Sequence, residues 1–222
     1  MRGLFFGGGK QRAERTVTLA TELEEIERQA QEASPGYDAQ LYNRAADLCL
    51  NAGDRVGALK YLGRAIDAYL DTGRFNAAAV LCQKVLRISP EAVRARSTLT
   101  WLALGQGDVE GAERALADYV PAAQRAGQEV LATKQLRMMA EATPNQRLRE
   151  TLAFWLIELG DHDGADQVLG ELYAERNGLR PPRPEDQGRR WMTVLKATTM
   201  GPTELRRVDP STAAEEPALA FV

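Results

Sequence analysis

"LNAGDRVGAL", residues Leu50 to Leu59, places a glycine, then an aspartate, then an alanine five residues after the glycine. Four other stretches return to the pattern: "LDTGRFNAAA" at Gly73, "ALGQGDVEGA" at Gly107, "QRAGQEVLAT" at Gly127 and "IELGDHDGAD" at Gly160. Five residues after each glycine stand Ala58, Ala78, Ala112, Ala132 and Ala165. Nine after come Leu62, Cys82, Leu116, Leu136 and Leu169, and twelve after come Ala65, Val85, Tyr119, Met139 and Leu172. Four before each glycine are Cys49, Tyr69, Ala103, Ala123 and Leu156. Alanine at all five turns, at one offset, is more than composition supplies.

Each part of the pattern has a mechanical reason. Glycine accepts the left-handed backbone that ends a helix. Asp54, Asp108 and Asp161 directly follow a glycine, where a short carboxylate can cap the next helix and favour its positive end. An alanine on the first turn lets two helices approach closely, and larger apolar residues three to four apart fill the seam between them. The spacing then sets a period. The glycines lie 20, 34, 20 and 33 residues apart, and Pro90 and Pro144 each fall 17 residues after the preceding glycine. This predicts triplets of helices over 38–52, 55–71 and 74–88, then 91–105, 108–126 and 128–142. A third set opens with 145–159 and 162–176. Pro121 falls inside one of these helices and should kink it. The expected class is all-α, an array of antiparallel helices.

The pattern resembles the tetratricopeptide-repeat family, whose consensus has a turn glycine, alanine five on, a larger residue at nine, a small one at twelve and proline at seventeen. "GRFNAAAVLCQKVLRISP", Gly73 to Pro90, is the best match, and the resemblance covers about residues 39–176. The 20-residue steps depart from the family period, so helix 55–71 serves as second helix of one repeat and first of the next. Tyr119 and Val85 are bulky for their offset, and the first-helix Trp-Leu-Gly signature is absent.

The resemblance also implies a right-handed superhelical array, with a ligand groove on the first helices, at thirteen, ten and six residues before the turn glycine. These offsets fall on Gln40, Asn43 and Asp47; on Lys60, Gly63 and Asp67; on Arg94, Ser97 and Trp101; and on Arg147, Glu150 and Phe154. Trp101 and Phe154, flanked by Arg94 and Arg147, could grip an extended or helical peptide. Equally, both aromatics could be core. Asn43 and Asp47 do not reproduce the lysine–asparagine clamp by which the family's chaperone-binding form holds a terminal carboxylate.

Outside the array, residues 11–33 place Ala13, Val17, Ala20, Leu23, Ile26 and Ala30 at helical spacing before "SPG" (Ser34 to Gly36) stops the helix. The expected organisation is a flexible leader (1–10), an N-terminal capping helix (11–36) and the repeat domain (37–177). A proline-rich linker with a short helix (178–200) and a mobile tail (201–222) follow. The capping helix has one competing reading, a detachable helix that docks a partner. "QGRRWMTVLKATTM" puts Trp191, Val194, Leu195 and Thr198 on one side, as the third helix of the last triplet would.

The rest of the chain excludes more than it suggests. A net charge of −3 and a pI near 5.4 give no electrostatic case for nucleic acid. Cys49 and Cys82 sit in apolar helical patterns, as reduced core residues do. "GLFFGGGKQ" fails the phosphate-loop spacing, with Leu4 where glycine is needed and Gln11 where Ser or Thr is needed. Three apolar residues, 4–6, give a bilayer little to hold. His162 is the only histidine, so neither a metal site nor a histidine-based nucleophile has the ligands or partners it needs. No enzyme, cofactor or metal is expected, and a cytoplasmic location follows by default. The function expected is a protein-interaction scaffold that binds a peptide or helix of a partner. The alternatives are a peripheral-membrane assembly factor or secretion chaperone tethered through its N-terminus, and an accessory subunit of an enzyme complex.

Overall fold

The computed structural model describes residues 8–181, with side chains from Thr18 onward. Nine α-helices and no strand occur among the described residues. They are α1 (Gly8–Glu32), α2 (Tyr37–Asn51), α3 (Arg55–Asp71), α4 (Phe75–Ile88), α5 (Val93–Gln106), α6 (Val109–Arg125), α7 (Glu129–Ala142), α8 (Gln146–Glu158) and α9 (His162–Arg176). The chain divides into two compact units, Met1–Ile88 and Ser89–Val222.

The corners explain the periodicity. Gly107 takes φ 70 and Gly160 φ 79, and Gly53, Gly73 and Gly127 are likewise at positive φ. The carbonyl four residues before each glycine accepts the N–H of the residue that follows it: Asp54 to Cys49 at 2.8 Å, Asp108 to Ala103 at 3.1 Å and Asp161 to Leu156 at 2.8 Å. The glycine N–H bonds one turn further on, Gly107 to Leu104 at 3.1 Å. This pair of bonds satisfies two carbonyls that a helix end would otherwise leave open. Asp54, Asp108 and Asp161 then cap α3, α6 and α9 through the N–H groups of Gly57, Gly111 and Gly164. Ala58, Ala78, Ala112, Ala132 and Ala165 are all fully buried, as close helix approach requires.

In the first unit consecutive helices pack in order, α1 on α2, α2 on α3 and α3 on α4. Among the described side chains of α1, Ile26 and Ala30 are buried. Glu27 ties α1 to α3 by accepting from the Tyr61 hydroxyl at 2.8 Å and from Arg64 Nη1 at 3.0 Å. The Tyr61 hydrogen bond, with Lys60 and Arg64 close by, holds the Glu27 carboxyl below its usual pKa. In the second unit α5 pairs with α6 and α8 with α9, while α8 also packs on α6 and α7. A buried polar knot joins three of these helices, with Ser97 Oγ and the Tyr119 hydroxyl both donating to Gln135 Oε1. Helix α6 runs unbroken from Val109 to Arg125 with Pro121 inside it.

One expectation of the seam fails at its last position. Leu62, Cys82, Leu116 and Leu136 are fully buried, but Leu169 at the same offset is 40% exposed. Residues 1–7 of the expected leader, the segment 182–200 and the tail lie outside the described residues, and residues 8–10 belong to α1.

Candidate partner-binding face

The expected groove residues divide between the two units. In the first, Asn43 and Asp47 stand one turn apart on α2 and share a cation the sequence reading did not include. Lys84, from α4, donates to Asn43 Oδ1 at 2.9 Å and to Asp47 Oδ1 at 2.7 Å. A lysine therefore does sit beside Asn43, but the Asp47 carboxylate balances its charge. Lys60 lies 3.6 Å from Glu27 and 5.2 Å from the Tyr61 ring centroid, so it belongs to the α1–α3 tie. Asp67 is half-buried on α3.

In the second unit the two aromatics part company. Trp101 is fully buried and Phe154 is 53% exposed. The pairing of both rings on one accessible wall is thereby corrected: Trp101 is core. Its helix, α5, is buried around most of its circumference, at Val93, Ala95, Ser97, Thr98, Thr100, Trp101 and Leu102. Helix α8 instead buries a stripe of Leu148, Arg149, Leu152, Ala153 and Leu156, leaving Phe154 on the far side. Arg94 is exposed at the start of α5.

Around Phe154 the surface is polar and cross-braced. Arg147, two turns earlier on the same helix, meets Glu113 of α6 with both arms, Nε at 2.8 Å and Nη2 at 2.7 Å. Thr151, one turn before Phe154, reaches the same carboxylate at 3.3 Å. On the other flank Glu150 accepts from Arg176 of α9. The Phe154 ring packs edge-on against Trp155, with centroids 5.2 Å apart. A large apolar ring thus stands in water inside a rim of paired charges, an arrangement typical of interface anchors. The groove offset named Arg147 but not Lys84, and nothing in the sequence says which carboxylate either will meet.

No group of His, Cys, Asp or Glu among the described residues could hold a metal ion. No helix among them is long and apolar enough to cross a membrane. The fold and the corners define a helical-repeat protein.

The profile of the family described as tetratricopeptide repeat matches residues 69–136, from the end of α3 into α7. Over that segment the chain is similar to tetratricopeptide repeats. No curated protein and no solved structure matches it.

Proposed function

We propose that the protein is a non-catalytic interaction module whose second unit binds a peptide or helix of a partner protein through the face of α8 centred on Phe154. Repeats of this family generally mediate protein–protein contact, which supports the class of function. The observation that carries the site is the 53% exposure of Phe154 between the Arg147–Glu113 and Glu150–Arg176 pairs. Full burial of a phenylalanine is worth roughly 1.5–3 kcal/mol, and a partner that covers the exposed half of Phe154 recovers about half of that energy. The paired charges fix the rim before binding, so few side chains need to be ordered on association. Arg94, exposed at the start of α5 in the same unit, is the further contact in this reading.

Phe154→Ala tests it. The expected result is loss of at least tenfold in affinity for a partner captured by the wild-type protein and identified, with the melting temperature within about 2 °C of wild type. Val80→Ala, an exposed valine on α4, should leave that affinity unchanged. A partner bound equally well by the Phe154 and wild-type proteins sinks the assignment.

A further inference from the structure

Helix α9 exposes apolar residues at positions that the earlier helices bury. Nine residues after the turn glycine, Leu62, Cys82, Leu116 and Leu136 are fully buried, and Leu169 is 40% exposed. Thirteen after, Ile66, Val120 and Ala140 are buried and Leu86 is half-buried, whereas Tyr173 is 66% exposed. Helix α6, which encloses Leu116 and Val120, packs on both α5 and α8. On α9 the two residues point away from Ala165, Val168 and Leu172, the side that the hairpin buries.

The exposed residues of α9 form a seam. His162, Asp166, Leu169, Tyr173 and Arg176 recur at intervals of four, three, four and three, and all are exposed. That spacing gives one helix a continuous edge to lay against another. The edge is also graded in charge, with Asp163 and Asp166 at its start and Arg176 at its end. Such a gradient complements itself in one orientation. Set antiparallel to a second copy, a single register puts Leu169 of each helix opposite Tyr173 of the other, and Asp166 opposite Arg176. A parallel pairing would instead oppose Asp166 to Asp166 and Arg176 to Arg176.

Gly170 is an independent sign of close approach. It lies exposed in the interior of α9, and a Cβ added there would have nothing within 4 Å. Its φ is not positive, so neither the backbone nor packing within the chain calls for glycine, although glycine weakens a helix interior relative to alanine. In the antiparallel register Gly170 stands beside the twofold axis, where the missing side chain lets two helices come together.

We infer that two copies of the chain pair through α9, antiparallel about a twofold axis beside Gly170. One patch meets itself, so the Leu169–Tyr173 and Asp166–Arg176 contacts each occur twice. The seam from Asp166 to Arg176 is about 15 Å long, which is short for a permanent dimer, and the association is therefore weak and concentration-dependent. It shares Arg176, through the Glu150 pair, with the rim around Phe154. Asp166 and Gly170 lie outside that rim, so variants there test this pairing and leave the Phe154 reading untouched.

Sedimentation velocity of the full chain, from low micromolar to several hundred micromolar, should show a monomer–dimer equilibrium. Asp166→Lys sets a cation against Arg176 of the other copy, and Arg176→Glu sets an acid against its Asp166. Each alone should weaken the dimer at least tenfold. Mixed in equal amounts, the two variants should form a heterodimer within about threefold of wild-type affinity, because only unlike chains then oppose unlike charges. Gly170→Lys places two lysines beside the axis and should also cost at least tenfold, with helical content by circular dichroism unchanged, since the new side chain meets nothing in its own chain. A chain that stays monomeric throughout overturns the inference. So does a dimer indifferent to Gly170→Lys, or a mixture of the two charge variants that fails to pair.

Discussion

The hairpins α5–α6 and α8–α9 are two printings of one sequence, 53 residues apart from Gly107 to Gly160. Arg96 matches Arg149, Thr98 matches Thr151, and Asp108, Gly111, Ala112 and Leu116 match Asp161, Gly164, Ala165 and Leu169. Even the helix-to-helix ion pair recurs. Arg96 Nη1 lies 3.9 Å from Asp118, and Arg149 Nη2 lies 3.5 Å from Glu171, both acids standing eleven residues after their glycine. Burial does not follow the copy. Trp101 is enclosed and Phe154 is not, and Leu116 is enclosed while Leu169 is not. Arg149 is fully enclosed with a second carboxylate, Glu175 at 2.7 Å, whereas the side chain of Arg96 remains 19% exposed. Corner chemistry is local and copies faithfully, but burial depends on what packs outside the hairpin.

The comparison is sharpest at the aromatics. Trp101→Ala should cost about 3–5 kcal/mol, as expected for emptying a full core site. Phe154→Ala should change stability by less than about 0.5 kcal/mol, as surface changes do. Urea unfolding followed by circular dichroism measures both. Equal losses would mean that the two hairpins bury the same positions after all, and the binding face at Phe154 would go with them.

The arginines should differ next. Arg149→Ala leaves the Glu175 carboxylate, 1% exposed, without its cation, and stranding a buried charge costs about 3 kcal/mol or more. Arg96→Ala should cost under about 1 kcal/mol, because its partner Asp118 is 73% exposed and screened. Combining Arg149→Met with Glu175→Leu should restore most of the loss, since apolar groups of similar size need no pairing. If the two alanine variants unfold at the same urea concentration, Glu175 finds other solvation and the second hairpin has no buried ionic lock.

What could be read from the sequence divides along the same line. The corners were legible because glycine, aspartate and proline act within a few residues of themselves: Gly53 to Gly160 end helices, and Pro90 and Pro144 follow α4 and α7. Gly178 was hidden because Arg183, not alanine, stands five residues after it. The face was less legible. The offsets placed Phe154 on the far side of α8 and gave Trp101 the same address, but enclosure of a ring is set by distant helices. The cross-braces Lys84–Asp47 and Arg147–Glu113 span 37 and 34 residues, and charge patterning alone does not choose among so many carboxylates.

The smallest effect concerns a glycine that both hairpins keep three residues after the capping aspartate. Gly111 N–H donates to Asp108 Oδ1 at 2.9 Å, and a Cβ added at Gly111 would stand 2.0 Å from Asp108 Oδ2. In an ordinary helix, alanine is better than glycine by about 1 kcal/mol. Here Gly111→Ala should destabilise, because the methyl group evicts a cap worth about 1 kcal/mol and crowds the carboxylate as it leaves. Once Asp108→Ala has removed the cap, the same substitution should stabilise by roughly 0.5–1 kcal/mol. The sign reversal is read from urea midpoints of the four variants as a coupling of about 1 kcal/mol or more. At Gly164 the added Cβ also meets Arg137 Nε at 2.8 Å, and Arg137 is itself bound to Asp161 through Nε at 2.6 Å. Gly164→Ala should therefore disturb cap and ion pair together and cost more than its counterpart. Stabilisation by Gly111→Ala in both backgrounds would mean that Asp108 moves aside freely, and the repeated glycine would need another cause.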